Sequence, residues 1–430
     1  MRILRWQLMI IAVLMVGLCF AQTPSTSNPS ADFALHDGDR VVFYGDSITE
    51  QRLYTTYIEE YALTRFPDRK IEFVNSGVGG DKVSGGWAGP IDLRLQRDVF
   101  AYQPTVVTIM LGMNDGYYRA YDDGIFRTYA DGYRHIVEAI QGKLPAARLF
   151  LLRPSPHDDI TRAPEFDPDY NATMIRFGDF LAALAAEKHA QVADLNAPVV
   201  AALTRAKELN AAFSTTLMQD RVHPGSGVHW LMAEAVLKSW NAPAVVTTVA
   251  LDAAKASVTS SANTSVTDLR KNKTSLTWAQ QDRALPLPLP PTKADPFLGM
   301  VEKVSDLDQA LNRETLQAMG LAAGSYSLQI DDRQVAEFSA DELAAGVDLA
   351  RLDTPMLQQA LLVAFDSERK DAIESERFTI AQDARTALDR DAAQELEADW
   401  KAAVEQQRKD AQPVAHRYGL VLVAKPAGRS

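Results

Sequence analysis

Five short apolar runs punctuate the first half of the chain: Arg40–Tyr44, Lys70–Asn75, Thr105–Leu111, Arg148–Arg153 and Gln191–Leu195. They read as strands. Helical patterns lie between them, as in Phe126–Ile140 and Tyr170–His189, and His229–Trp240 reads as the last helix of this half. Strands alternating with helices predict an α/β fold with a parallel, doubly wound five-stranded sheet. Ligands of such sheets sit at the carboxyl ends of the strands.

The pattern changes after about residue 243. Val245–Leu251 reads as a strand, and Ser257–Ser265 is rich in turn and strand residues. Leu285-Pro-Leu-Pro-Leu-Pro-Pro291 predicts extended, polyproline-like chain, read as a strap rather than as a ligand for an SH3-type partner. Tyr326–Phe338 predicts a hairpin turning at Asp331-Asp332, followed by helical stretches over Ala340–Ala350 and Thr354–Phe365. Asp366–Asp410 is dense in Ala, Glu, Asp, Arg, Lys and Gln and reads as a long helix or helix pair with a solvated charged face. Tyr418–Val423 reads as a final strand. The division expected from these shifts is an α/β region over 38–243 and an α+β extension over 244–430.

Composition narrows the classes. The chain has 430 residues, 47% hydrophobic and 23% charged, enough for a large core. A net charge of −12 argues against a nucleic-acid partner or an anionic membrane surface. Arg2 and Arg5 precede an apolar run, Leu8 to Phe20, of signal-peptide length, with Cys19-Phe-Ala21 offering a cleavage site. Residues 1–21 are therefore expected to be a signal peptide and 22–37 a flexible segment, an uncleaved anchor being the main alternative. Secretion or export to a periplasm follows, with no stable membrane span once the signal is removed. A cut after Ala21 would also remove the only cysteine, and with it any thiol nucleophile or disulfide.

The chemistry concentrates in four segments. Val41-Val-Phe-Tyr-Gly-Asp-Ser47 runs a strand into a sharp turn that carries a serine. A nucleophilic serine needs a base, and the base needs an orienting group. Of the seven histidines, only His223 has a carboxylate three residues upstream, Asp220, in Asp-Arg-Val-His-Pro-Gly225. One turn brings such a pair to the same side. Ile71–Asp81 leads a strand into a glycine-rich loop where the Gly80 N–H is a candidate oxyanion donor. Val106–Asp115 ends in Gly-Met-Asn-Asp, where the Asn114 amide is another.

Together these blocks resemble the SGNH, or GDSL-type, hydrolase family, in the family's order and over roughly residues 38–243. The resemblance implies a flavodoxin-like SGNH core. It implies Ser47 as nucleophile, Asp220 and His223 as the rest of a triad, and an oxyanion hole from the Ser47 and Gly80 amides and Asn114. The region 244–430 looks similar to the extension of some secreted bacterial GDSL-type proteins. It is expected to pack against the core and influence substrate entry without supplying a catalytic group.

The expected activity is serine-dependent hydrolysis of carboxylic esters, with no metal or organic cofactor. The expected partner is a small-molecule or carbohydrate ester, and deacetylation of carbohydrate is the preferred class because export puts such polymers within reach. Lysophospholipase, arylesterase and thioesterase activities are the enzymatic alternatives. A polymer-binding protein on a retained hydrolase scaffold is the non-enzymatic one. Gly-x-Ser-x-Gly, His-Glu-x-x-His and P-loop motifs are missing from the sequence. Trp87, in Gly85-Gly-Trp-Ala-Gly-Pro90, either lines an acyl or sugar pocket or packs. His157, in His157-Asp-Asp159, is expected on a substrate-side loop rather than at a metal.

Overall fold

The computed structural model describes residues 32–291, 293–382 and 390–423, so the expected signal segment lies outside the described residues. The strands in chain order open with β1 (Arg40–Gly45), β2 (Glu72–Gly77) and the two-residue ladder β3 (Gly85–Gly86) with β4 (Gly89–Pro90). Then come β5 (Val106–Met110), β6 (Arg148–Arg153) and β7 (Gln191–Asp194). The first sheet has the order β2-β1-β5-β6-β7, all parallel. Val41, Val42, Phe43 and Tyr44 on β1 are all buried, as expected of a parallel strand covered by helices on both faces. The predicted parallel sheet is thus present, with strand boundaries within one or two residues.

The later strands are β8 (Val245–Asp252), β9 (Ser257–Ala262), β10 (Thr264–Lys271), β11 (Ser275–Asp282), β12 (Arg313–Met319), β13 (Ser325–Ile330), β14 (Arg333–Ser339), β15 (Val347–Asp348) and β16 (Ala415–Leu422). They form a five-stranded sheet, β10-β11-β16-β13-β14, and a four-stranded sheet, β15-β12-β8-β9. The hairpin β13–β14 turns at Asp331 and Asp332, with φ of 50° and 63°. Two consecutive left-handed residues are what a type I′ turn requires. The expected helix 340–350 is shorter, Ala340–Ala345. Gly346, at φ 98°, ends it and lets β15 pair with β12.

The Leu-Pro strap is buried. Its three leucine N–H groups are all satisfied: Leu285 donates to Thr64 O, Leu287 to Asn312 Oδ1 and Leu289 to Leu287 O. The prolines between them have no N–H to satisfy. Leu287 and Leu289 join the main core cluster, while Leu285 joins a second cluster between the later sheets. Phe33 and Leu35, within the segment expected to be flexible, are also buried in the main core. The described residues from Phe33 onward form one compact unit.

The charged stretch 366–410 departs from expectation. Two helices form, Pro355–Gln382 and Arg390–Asp410. However, Asp366, Lys370, Asp371, Glu374 and Gln407 are buried rather than solvated. Lys370, Asp371 and Gln407 meet polar partners on the helix Leu53–Arg65, and Glu374 meets the backbone N–H of Asn75 on β2. No helix among the described residues is long and apolar enough to cross a membrane.

Candidate active site

β1 ends at Gly45, and the chain turns at once into a one-turn helix, Ser47–Glu50. Asp46 caps that helix by accepting the Ile48 N–H at 3.0 Å. Ser47 therefore stands half-buried at the carboxyl edge of the central strands. The loop after β2 packs directly on this turn. A Cβ on Gly77 would fall 2.2 Å from the Glu50 backbone nitrogen, so only glycine allows the approach. Val78 N–H donates to Gly45 O at 3.0 Å.

The turn Asp220–His223 comes from the other side, just before the helix Ser226–Ser239. His223 Nε2 lies 2.8 Å from Ser47 Oγ, and His223 Nδ1 lies 2.6 Å from Asp220 Oδ2. The other Asp220 oxygen accepts the N–H groups of Val222 at 3.0 Å and His223 at 2.7 Å. Partial burial opposes its charge, but the His223 ring and these two amides outweigh it and hold the carboxyl below its ordinary value. Asp220 thus accepts at both oxygens and leaves His223 Nε2 to take a proton from Ser47. Arg221, at φ 69°, bends the chain between them. Its guanidinium donates to Asp158 O, Asp159 Oδ1 and Ala163 O, which pins the turn to the loop after β6.

The three donors expected for an oxyanion are the Ser47 and Gly80 N–H groups and the Asn114 amide. The N–H groups of Ser47 and Gly80 bond to no acceptor among the described residues. Gly80 has φ 74°, with open space where a Cβ would be, so glycine is needed there for its backbone conformation rather than for a close contact. The Asn114 side chain is fixed at both ends: Nδ2 donates to Asp81 O at 3.0 Å, and Oδ1 accepts the Tyr118 hydroxyl at 2.7 Å. One amide hydrogen of Asn114 is left over.

The other predicted residues fall around this group. Trp87 is 69% exposed, with its indole N–H on Gly79 O at 2.9 Å, beside Gly80. His157 is buried in the loop after β6, pairs with Asp159 at 2.9 Å and packs edge-on against Tyr170. Tyr118 stands over both His157 and Tyr170 and joins them to Asn114. Sequence reasoning missed Tyr118, although two aromatics directly after Gly-Met-Asn-Asp-Gly, where turn chemistry does not call for them, were a signal. Tyr117 and Tyr118 both have positive φ and are exposed. His229 is buried, accepts Tyr54 N–H at Nδ1 and faces Gln51 through Nε2. Burial, with His223 nearby, pushes it down to about 3, so it stays neutral behind His223.

Two buried carboxyls next to the site carry a pH prediction. Burial pushes both Asp46 and Asp115 up to about 7, against hydrogen bonds from Ile48 and Val83 N–H respectively. The folded state holds these protons at pH values where the unfolded chain, with ordinary values near 4, has released them. Stability should therefore fall as pH rises from about 4 to about 7 and level off above. His229 acts oppositely up to about pH 6.5, but it is one group against two. The urea midpoint is expected to be lower at pH 8 than at pH 5. An equal or higher midpoint at pH 8 would contradict the assignment.

Comparison with known proteins follows the same residues. Residues 43–231 match the GDSL-like lipase/acylhydrolase family. An acetylxylan esterase of Geobacillus stearothermophilus is 26% identical over 222 residues, 47% of this chain and 93% of that protein. Its crystal structure covers 48% of this chain and 96% of its own, at 25% identity and a TM-score of 0.39. A gut microbial diltiazem-metabolizing enzyme superposes with a TM-score of 0.81 at 23% identity, over 90% of this chain and 98% of that one. The likeness in fold thus extends well beyond the matched family segment.

Proposed function

Residues 43–231 place this chain in the SGNH, or GDSL-like, hydrolase family, and from that premise we propose that it is an ester hydrolase working through Ser47, His223 and Asp220. The observation that carries the reading is the continuous relay Asp220–His223–Ser47, with contacts of 2.6 and 2.8 Å. Ser47 Oγ attacks the ester carbonyl as its proton passes to His223 Nε2. Asp220 holds the Nδ1 proton and stabilises the imidazolium. The oxyanion is met by the Ser47 and Gly80 N–H groups and the spare Asn114 hydrogen. His223 then gives its proton to the leaving alcohol. Water repeats the sequence on the acyl-enzyme, releasing the acid and restoring Ser47.

The proposed substrate class is an acetylated carbohydrate. The acetylxylan esterase relative supports it. So does the openness of the site: the Asp220 side chain is 56% exposed and that of His223 38%, which leaves room for a bulky leaving group. Trp87, Tyr117 and Tyr118 offer exposed aromatic faces beside the oxyanion donors. Exported location is proposed on residues 1–21 alone, and N-terminal sequencing of the mature protein tests it.

The deciding experiment is a hydrolysis panel of p-nitrophenyl esters of rising chain length alongside acetylated xylo-oligosaccharides. Acetyl esters should be preferred, and activity should fall with acyl length. A preference for long acyl chains would favour a lipase-like reading instead. Within the panel, Trp87→Ala should raise KM for acetylated oligosaccharides about 3- to 10-fold, the size of a ~1 kcal/mol aromatic contact. It should leave kcat and the turnover of p-nitrophenyl acetate nearly unchanged. Equal losses on both substrates would assign Trp87 to packing.

A further inference from the structure

The helix Pro355–Gln382 lies far along the chain from the four motif segments, yet it reaches the two loops that hold the reacting groups. Its buried stripe carries Lys370, Glu374 and Phe378, four residues apart and therefore on one face. Glu374 Oε1 accepts the backbone N–H of Asn75 on β2 at 2.8 Å. β2 is the edge strand of the first sheet, so this caps an otherwise unpaired donor. Glu374 Oε2 faces Arg52 at 3.6 Å, and Lys370 stands 3.3 Å from the same oxygen. Lys370 also binds Glu59 at 2.6 Å, and Thr56 donates to Asp371.

Both ends of this network lead to the site. Asn75 Nδ2 donates to Thr49 O at 2.7 Å, inside the one-turn helix that begins at Ser47. Asn75 Oδ1 accepts Gly77 N–H at 3.0 Å, at the start of the loop that carries Gly80. Arg52, held by Glu374 and Asp371, has φ 67° and redirects the chain from the serine turn into the helix Leu53–Arg65. Farther along the stripe, Phe378 packs against Val78 of the oxyanion loop and Ala88 next to Trp87. A single helix thus packs on the oxyanion loop and the Trp87 hairpin and reaches the serine turn through Asn75 and Arg52.

We propose that Glu374 and Phe378 are positioning residues: the helix Pro355–Gln382 holds the serine turn and the oxyanion loop in register with each other. Neither residue meets the substrate. The inference rests on the reading of Ser47 and Gly80 given above. Its physical basis is that catalysis needs the nucleophile and the oxyanion donors fixed relative to one another, and a displacement of about 1 Å can cost about 100-fold.

The test uses the full chain and p-nitrophenyl acetate, with active sites counted by a serine-reactive phosphonate. Glu374→Ala removes the acceptor for Asn75 and should lower kcat per titrated site about 10- to 100-fold, with KM changed less than about threefold. Glu374→Gln keeps an oxygen for Asn75 N–H and should recover most of that loss. Phe378→Ala should likewise lower kcat, and Phe378→Leu should restore it. A merely structural brace would lower thermal stability and the titrated fraction while leaving kcat per site within twofold of wild type. That result overturns the proposal. Should Glu374→Ala fail to fold, the Phe378 pair decides by the same criterion. Ser47→Ala is the control: if it stays active, the nucleophile assignment and this inference both fall. If it is inactive while Glu374→Ala turns over at the wild-type rate per site, only the inference falls.

Discussion

Replacing Ser47 with alanine is expected to lower kcat for a short-chain ester by about 10⁴-fold or more without unfolding the protein. The effect is large because the hydroxyls of Thr49 and Thr55, close to Ser47 along the chain, are engaged elsewhere, with Tyr54, Asn75 and the Arg52 carbonyl. The fold should survive because Ser47 Oγ makes its one described hydrogen bond to His223, whose ring is partly open to solvent and stays hydrated when the partner is lost. Circular dichroism and the urea midpoint should match wild type. Residual hydrolysis from the oxyanion donors alone sets the floor. Turnover within tenfold of wild type in a folded mutant would mean that the nucleophile lies elsewhere.

Deleting the chain from residue 245 onward is expected to abolish soluble, folded protein altogether. The residues removed supply more than the later sheets. Leu287, Leu289, Leu298, Met300, Val301, Val304, Leu307 and Leu311 all belong to the main core cluster that surrounds the first sheet. Full burial of such side chains is worth roughly 1.5–3 kcal/mol each. Eight of them match or exceed the ~5–15 kcal/mol that typically separates folded from unfolded states. The deletion also uncovers the edge of β2 and strands Glu59 without Lys370. The measurement is the soluble fraction after expression, followed by cooperative unfolding of whatever remains. A soluble 38–244 fragment with a sharp transition would show that the first sheet needs none of the later chain.

The parts of this architecture that were legible in the sequence are those in which one segment carries its own signal. β1 and β5 are continuous apolar runs, because helices cover both faces of a parallel sheet. Asp220 and His223 share one turn, so their spacing alone brought them together. Their meeting with Ser47, 176 residues away, was legible only through the ordered blocks that resemble a family. The hairpin at Asp331-Asp332 was legible from turn chemistry. The burial of Lys370 and Glu374 was not. A charged helical face looks the same in sequence whether water or ionic partners cover it, and here the partners, Glu59, Arg52 and Asn75, are about 300 residues upstream. The helical pattern of Ala340–Ala350 outlasts the helix itself, which stops at Ala345 because Gly346 turns the chain.

The strand order of the second five-stranded sheet bears on how the protein is made. β16 lies in the middle, between β11 and β13, yet it is the last of the five to be synthesised. The hairpins β10–β11 and β13–β14 are each complete early, and each then waits with an open edge. At about 5–20 residues per second, the interval between Ser339 and Ala415 lasts several seconds. Unpaired edges in a nascent chain are sticky toward one another and toward neighbouring chains. A premature stop between the helix Arg390–Asp410 and β16 would therefore leave every reacting residue and the whole bracing helix intact, and still yield a chain prone to aggregate. Alleles truncated there should behave as complete losses, and chaperone demand during translation should peak just before Ala415 emerges.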